Sequence, residues 1–394
     1  MIDSPIDIRK AIKSYDYVLA LAVIAIGVVG IFMVYAFGNG YHTPVGIQSS
    51  FGGLWTLQRV YIISGAVLMV AVSFIDYRLI ARFYIYIYGL MMGLLIVVMI
   101  IGADDGTGVA RWVRIPIPGI QGGLSMQPSE FAKLFMILFL AKFLDVKSQK
   151  FNNIFWLGLT LILILVPVYL VVEQPSLSAS LVVLFLSFTV LFVAGLYYRT
   201  ILIGGVLLSP IAILLWLDLQ RAQPIFLTRL LGNYQWTRIE TWRDPILGSD
   251  AFRQTQQSLY AISSGGLTGQ GFLNNSFVIH GHNDFVFALV AGQFGFAGAA
   301  ILLAAIALVI VRCILIALRA QDMTGRLIAA GVAGMLIFET FVHVGVTTNF
   351  LPNTGMPFPF VSFGGSMIWV HMMAIGVVLN VGLPRKKPMF NREM

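Results

Sequence analysis

Runs of about 20 mostly apolar residues recur ten times along this chain, near residues 17–37, 60–75, 83–102, 130–144, 154–172, 178–196, 201–217, 284–311, 327–349 and 363–383. In hydrocarbon there is no water to satisfy backbone N–H and C=O groups, so each run must close its hydrogen bonds internally as a helix. The chain is 58% hydrophobic and 11% charged, with a mean hydropathy of +0.88. That leaves too little polar surface for a water-soluble domain. The expectation is an all-α polytopic membrane protein, a single domain over residues 1–394 with about ten transmembrane helices. One long extracytoplasmic loop, about 218–283, separates the seventh helix from the eighth.

Charge sets the orientation. With the N-terminus in the cytoplasm, the inside segments hold Arg9, Lys10, Lys13, Arg78, Arg82, Lys142, Lys147, Lys150, Arg199, Arg312, Arg319, Arg326, Arg385, Lys386, Lys387 and Arg392. This positive-inside bias places both termini in the cytoplasm. The net charge of +8 is scattered over segment ends and forms no stripe on a soluble domain, which argues against nucleic acid as a partner. The first run follows Arg9, Lys10 and Lys13 and is long enough to span, so it reads as a start-transfer helix rather than a cleaved signal peptide. With Cys313 the single cysteine, neither an intrachain disulfide nor a CxxC metal site can form.

Ionisable groups at membrane depth are costly and mark pathways or sites; here they are Glu130, Lys133, Glu173, Asp284, Glu339, His343 and His371. Asp284 opens the run DFVFALVAGQFGF, where a carboxylate can cap a helix, act as a general base, or do both. Glu130 and Lys133, three apart, suit an intrahelical pair, while Glu339 and His343, four apart, suit a proton relay or a self-satisfied buried pair. The long loop mixes Tyr234, Trp236, Trp242, Phe252 and Tyr260 with Arg229, Arg238, Arg243 and Arg253. That composition is too aromatic for a disordered linker and predicts amphipathic pieces on the outer membrane surface. Gly265, Gly266, Gly269 and Gly271 can form a tight turn or bring backbone amides to phosphate oxygens. The proline- and glycine-rich stretch Leu351 to Ser366 predicts irregular backbone that walls a polar pocket or forms a structured turn.

Six segments in order carry a resemblance: ARW at Ala110 to Trp112, QPSEFAK at Gln127 to Lys133, EQPSL at Glu173 to Leu177, QSLYAISSGG at Gln257 to Gly266, HNDFVFA at His282 to Ala288, and MPFPFVSFGGS at Met356 to Ser366. Together they closely resemble the SEDS family of bacterial cell-wall proteins, which includes RodA, FtsW and SpoVE. The resemblance covers essentially the whole chain. It implies a multi-pass protein of the bacterial cytoplasmic membrane, a peptidoglycan glycosyltransferase that polymerises lipid II at the outer face and works with a class B penicillin-binding protein. The family's essential aspartate falls on Asp284, which would accept the proton of the attacking sugar hydroxyl. Substrate contacts are expected from Arg111, Gln127, Ser129, Glu130, Lys133, Arg238, Gln257, Ser258, Gly265, Gly266, His282, Pro357, Ser362, Gly364, Gly365 and Ser366. Of these, Arg111, Lys133, Arg238 and the glycine-rich backbone are the candidates for the leaving pyrophosphate.

The chain departs from the family pattern where Ser176 replaces an acidic residue, Ser178 a glycine, and Gly292 and Gln293 an acidic pair. The stretch from Gly271 to Asp284 is also shorter than usual. A divalent cation such as Mg or Mn could assist the leaving pyrophosphate, but these changes remove carboxylates near Asp284 and no ligand cluster for it is recognisable. Two rival functions use the same chain differently: a lipid II flippase working through Glu339 and His343, or a non-catalytic scaffold that activates the transpeptidase.

Overall fold

The computed structural model describes residues 13–40, 43, 53–104, 110–115, 124–148, 152–174, 176–221, 224–231, 233–246, 250–274 and 278–384. The structure is nearly all helical. Ten long helices coincide with the ten apolar runs: α1 (Tyr17–Asn39), α2 (Leu54–Ser73), α4 (Tyr84–Ile101), α5 (Pro128–Val146), α6 (Ile154–Glu173), α7 (Leu177–Val193), α8 (Tyr198–Leu219), α12 (Val286–Arg319), α13 (Met323–Thr347) and α14 (Gly365–Gly382). Seven of them, α1, α2, α6, α8, α12, α13 and α14, are long and apolar enough to cross a membrane. The basic C-terminal cluster from Arg385 onward lies outside the described residues.

Short elements fill the connections. Helix α3 (Tyr77–Arg82) links α2 to α4, and the long loop folds into α9 (Phe226–Leu230), α10 (Asn233–Arg243) and α11 (Asp250–Gly265). Among the described residues, strand is confined to the connection before α5, where β1 (Ala103–Asp104), β2 (Ala110–Ile115) and β3 (Leu124–Met126) pair antiparallel, with Val113 opposite Met126. This small sheet lies within one connection of an otherwise all-α fold and places Trp112 beside the start of α5.

Helices α13 and α14 form the centre, with α2, α5, α7 and α12 packed around them. Leu327, Ile328, Val332, Met335, Ile368, Val370 and Met372 are among the residues of this pair that are essentially inaccessible. Helix α8 is the opposite case, because Asp218 at its end is its one buried residue. The Asp218 carboxylate accepts N–H bonds from Ile225, Phe226 and Leu227 at 2.8–3.0 Å, which ties α8 to the start of α9. Helix α12 turns sharply at Gly295 (φ +65°), and Cys313 is buried in its packed face.

Candidate active site

A cavity of about 300 Å³ opens where the 352–357 loop meets the starts of α5, α7 and α14 and the side of α10. Gly355 is part of its wall. The backbone there is left-handed (φ +69°), and a methyl at this position would stand 3.2 Å from Arg238 Nη1 and 3.5 Å from Asp284 Oδ2. A carboxylate and a guanidinium therefore converge on one point of the wall, and only a residue without Cβ leaves the space between them open.

The flanking backbone is fixed on both sides. Arg238 Nη1 donates to Asn353 O at 3.2 Å, and Trp242 Nε1, one turn further along α10, donates to Asn349 O at 3.1 Å. Asn353 Oδ1 accepts from Gly355 N at 3.1 Å. The turn bearing Asp284 is pinned from behind. Ser362 Oγ donates to Asn283 O at 2.6 Å and accepts from Phe358 N at 2.8 Å, while Phe363 N donates to His282 O at 2.8 Å. His343 Nδ1 stands 2.6 Å from Met356 O, which can only accept, so Nδ1 carries the hydrogen and Nε2 accepts from Phe287 N at 3.4 Å. Phe360 is fully buried with φ +65°, an uncommon conformation for a bulky residue. Strain of that kind persists where surrounding packing over-determines the backbone.

Asp284 does not cap α12: Phe285 occupies the N-cap and no side-chain hydrogen bond closes that helix end. His282 packs its ring 4.3 Å from that of Phe37. Burial, with a smaller contribution from His280, lowers its pKa to about 4, so the imidazole is neutral at physiological pH.

Below the wall lies a buried polar cluster. Lys133 Nζ is 2.8 Å from Glu130 Oε2 and 2.7 Å from Glu339 Oε1, and Glu339 Oε2 is 2.5 Å from His371 Nε2. The expected Glu130–Lys133 pair is present. The expected Glu339–His343 pair is not: Glu339 turns to Lys133 and His371, whereas His343 bonds Met356 and Phe287. A lysine distant in sequence, on the directly packed helix α5, takes the place of the imidazole four residues away because it brings a full charge to a buried carboxylate.

Of the residues expected to contact substrate, Gln127, Glu130, Lys133, Arg238, Pro357, Gly364 and Ser366 line the cavity together with Asp284. His282 and Ser362 stand behind the Asp284 turn. Gln257 accepts from Ile279 N at 2.9 Å and Ser258 Oγ donates to Thr347 O at 2.7 Å, both away from the cavity wall. Gly365 allows close packing, since a methyl there would be 2.9 Å from Tyr61 Cε1. Ser129 is buried off the wall, and for Arg111 only its backbone place in β2 is described. Gly265 and Gly266 do not present free amides to the cavity. Their segment pairs backbone to backbone with α12, through Gln270 N to Gly292 O, Gly271 N to Gln293 O and Phe296 N to Gly266 O. Glu173 is exposed at the end of α6. Sequence reasoning missed Gln235, Asn353 and Thr354 as wall residues, and read Ser176 and Ser178 only as departures. Polar residues amid prolines and aromatics were the available signal. Among the described residues no group of three or more His, Cys, Asp or Glu side chains could hold a metal ion.

Membrane-length helices around a polar cavity with one converging acid–guanidinium pair define a polytopic membrane protein with an enzyme-like site. The chain belongs to the cell cycle protein family of FtsW, RodA and SpoVE, which matches residues 16–387. It is 31% identical over 390 residues to "Probable peptidoglycan glycosyltransferase FtsW" of Geobacter metallireducens, covering 96% of this chain and 97% of that protein. It is 35% identical over 332 residues to "Peptidoglycan glycosyltransferase MrdB" of Escherichia coli K12, covering 82% and 84%. Among solved structures, it matches a chain of a peptidoglycan synthase complex that coordinates polymerization and crosslinking, with TM-score 0.75, 30% identity and coverage of 93% and 97%. It also matches the rod shape determining protein RodA of Thermus thermophilus, with TM-score 0.65, 28% identity and coverage of 95% and 98%.

Proposed function

We propose that Asp284 is the general base with which this chain polymerises lipid II at the outer face of the bacterial cytoplasmic membrane. The chain is a multi-pass membrane protein and a peptidoglycan glycosyltransferase of its family. The observation that carries the proposal is the convergence of Asp284 Oδ2 and the Arg238 guanidinium on Gly355 at the wall of the cavity.

The C4 hydroxyl of one lipid II attacks the anomeric carbon of another, and its proton passes to the Asp284 carboxylate. As the new glycosidic C–O bond forms, the bond from the anomeric carbon to the pyrophosphate breaks. Backside attack on an α-linked donor yields a β-linked glycan. Arg238 meets the charge developing on the leaving undecaprenyl pyrophosphate, and Arg111 is the second candidate cation. Lys133, paired with Glu130 and donating to Glu339, supplies a hydrogen bond rather than net charge. A class B penicillin-binding protein is the expected partner, in line with the crosslinking complex to which the fold is similar. The transporter alternative loses its motive, since Glu339 and His343 do not pair.

The test is polymerisation of purified lipid II by the solubilised protein with its partner, comparing wild type with Asp284→Ala. Product from wild type alone is expected. Equal product from both removes Asp284 from the chemistry, and no product from either returns the chain to a scaffolding role.

A further inference from the structure

The buried cluster beneath the cavity contains two groups, Glu339 and His371, that the reaction above leaves unused. His371 Nδ1 is 2.7 Å from Met367 O, a carbonyl that can only accept, so this nitrogen carries a hydrogen. His371 Nε2 stands 2.5 Å from Glu339 Oε2, a separation at which two lone pairs would repel, so a second hydrogen lies between them. The pair therefore holds one shared proton and is neutral as a unit. Lys133 and Glu130 form an ion pair at 2.8 Å, so the four side chains together carry no net charge. Lys133 and His371 are each 1% exposed and Glu339 is inaccessible, and a neutral total is what lets four ionisable groups sit so deep.

An ammonium has three donors. One is given to Glu339 at 2.7 Å and the charge is paired with Glu130 at 2.8 Å, while Lys133 also lines the cavity. We propose that Glu339 and His371 are positioning residues that hold the Lys133 ammonium at the cavity floor, a remaining N–H directed at an uncharged sugar oxygen of the bound substrate. The chain of support runs from the Met367 carbonyl through His371 and Glu339 to Lys133. Each link is a hydrogen bond between different helices or adjacent turns, so the ammonium is fixed relative to α5, α13 and α14 at once. A neutral cluster suits a hydroxyl or acetamido oxygen and leaves the pyrophosphate to arginine. This inference rests on the glycosyltransferase reading of the cavity.

The experiment measures kcat and KM for lipid II polymerisation by the full-length solubilised protein with its penicillin-binding partner. Wild type is compared with Lys133→Met, His371→Ala and His371→Gln, each checked for monodispersity and melting temperature. His371→Ala should lower kcat on the order of 10-fold, towards the Lys133→Met value, with KM within about twofold. Glutamine reaches the place of imidazole Nε2 with an N–H donor, so His371→Gln should recover most of the loss. Wild-type kcat in His371→Ala overturns the proposal, as does equal impairment of the alanine and glutamine variants. If His371→Ala does not fold, Glu339→Gln is read in its place. That variant keeps a hydrogen-bonding group at both contacts and removes the charge. A fall in kcat at constant KM then supports positioning, and an unchanged kcat overturns it. Wild type that makes no glycan fails the glycosyltransferase reading itself, whereas active wild type with unaffected variants fails this inference alone.

Discussion

The loops around Gly269 and Gly355 both hold glycine at positive φ, +85° and +69°. At Gly269 a methyl would lie 2.1 Å from Gln293 O, inside the backbone of α12, so the residue exists to let two chain segments touch. At Gly355 the same methyl would enter the gap between Arg238 and Asp284, with no backbone atom among its nearest contacts. One glycine serves packing and the other serves the cavity. Backbone freedom alone, which the two share, does not say which.

The largest effect that bears on this contrast belongs to the cavity side. Asp284→Asn keeps the shape of the wall and should lower polymerisation by about 10²–10⁴-fold, the usual worth of a general base, with the melting temperature unchanged. A matching fall in melting temperature would mean the Asp284 turn is structural, like the Gly269 loop. Next, Gly269→Ala should destabilise the fold by about 2–3 kcal/mol, through overpacking and backbone strain, while folded molecules keep their specific activity. Denaturation in a fixed detergent reads the first quantity, and activity per folded molecule the second.

His282, in the turn just before Asp284, gives a pH handle. Its folded pKa, about 4, lies below the ordinary imidazole value of 6.5. The unfolded chain therefore binds the proton first, and stability present above pH 6.5 is lost as pH falls towards 4. Melting at pH 7 and pH 5 should differ by about 2 kcal/mol from this group, and His282→Gln should flatten the difference. The smallest effect is expected at the wall of the cavity. Gly355→Ala should cost about 1 kcal/mol of stability for its left-handed backbone, yet lower kcat/KM by about 10-fold by crowding Arg238 and Asp284. If Gly355→Ala and Gly269→Ala changed activity and stability in the same proportion, the distinction between the loops would be lost.

Much of this was legible in advance. The ten long helices coincide with apolar runs, because length and hydrophobicity are local properties that lipid enforces on each segment separately. The stretch from Leu351 to Ser366 does wall a polar pocket, as its prolines and glycines require of backbone at membrane depth. The partner of Glu339 was not legible. His343 is four residues away and Lys133 is 206, and spacing along one helix cannot reveal a neighbour supplied by another. The glycine run after Gln257 was ambiguous for the same reason: the Gln270 and Gly271 amides bond Gly292 and Gln293 of α12, and the Gly269 amide bonds Gly265 O.

The sequence by itself determined a helical membrane protein, most of its segment boundaries closely though not the start of α2 or the end of α12, and the short set of ionisable groups from which a site could be drawn. Only the tertiary structure decided how those groups were shared out. It sent Asp284 and Arg238 to the cavity wall at Gly355, Lys133 to a neutral buried cluster with Glu130, Glu339 and His371, and the Gly269, Gln270 and Gly271 amides to backbone pairing. The reason is that buried charges and unpaired amides are too costly to leave unsatisfied, and their partners are set by which helices pack together, which no local pattern encodes.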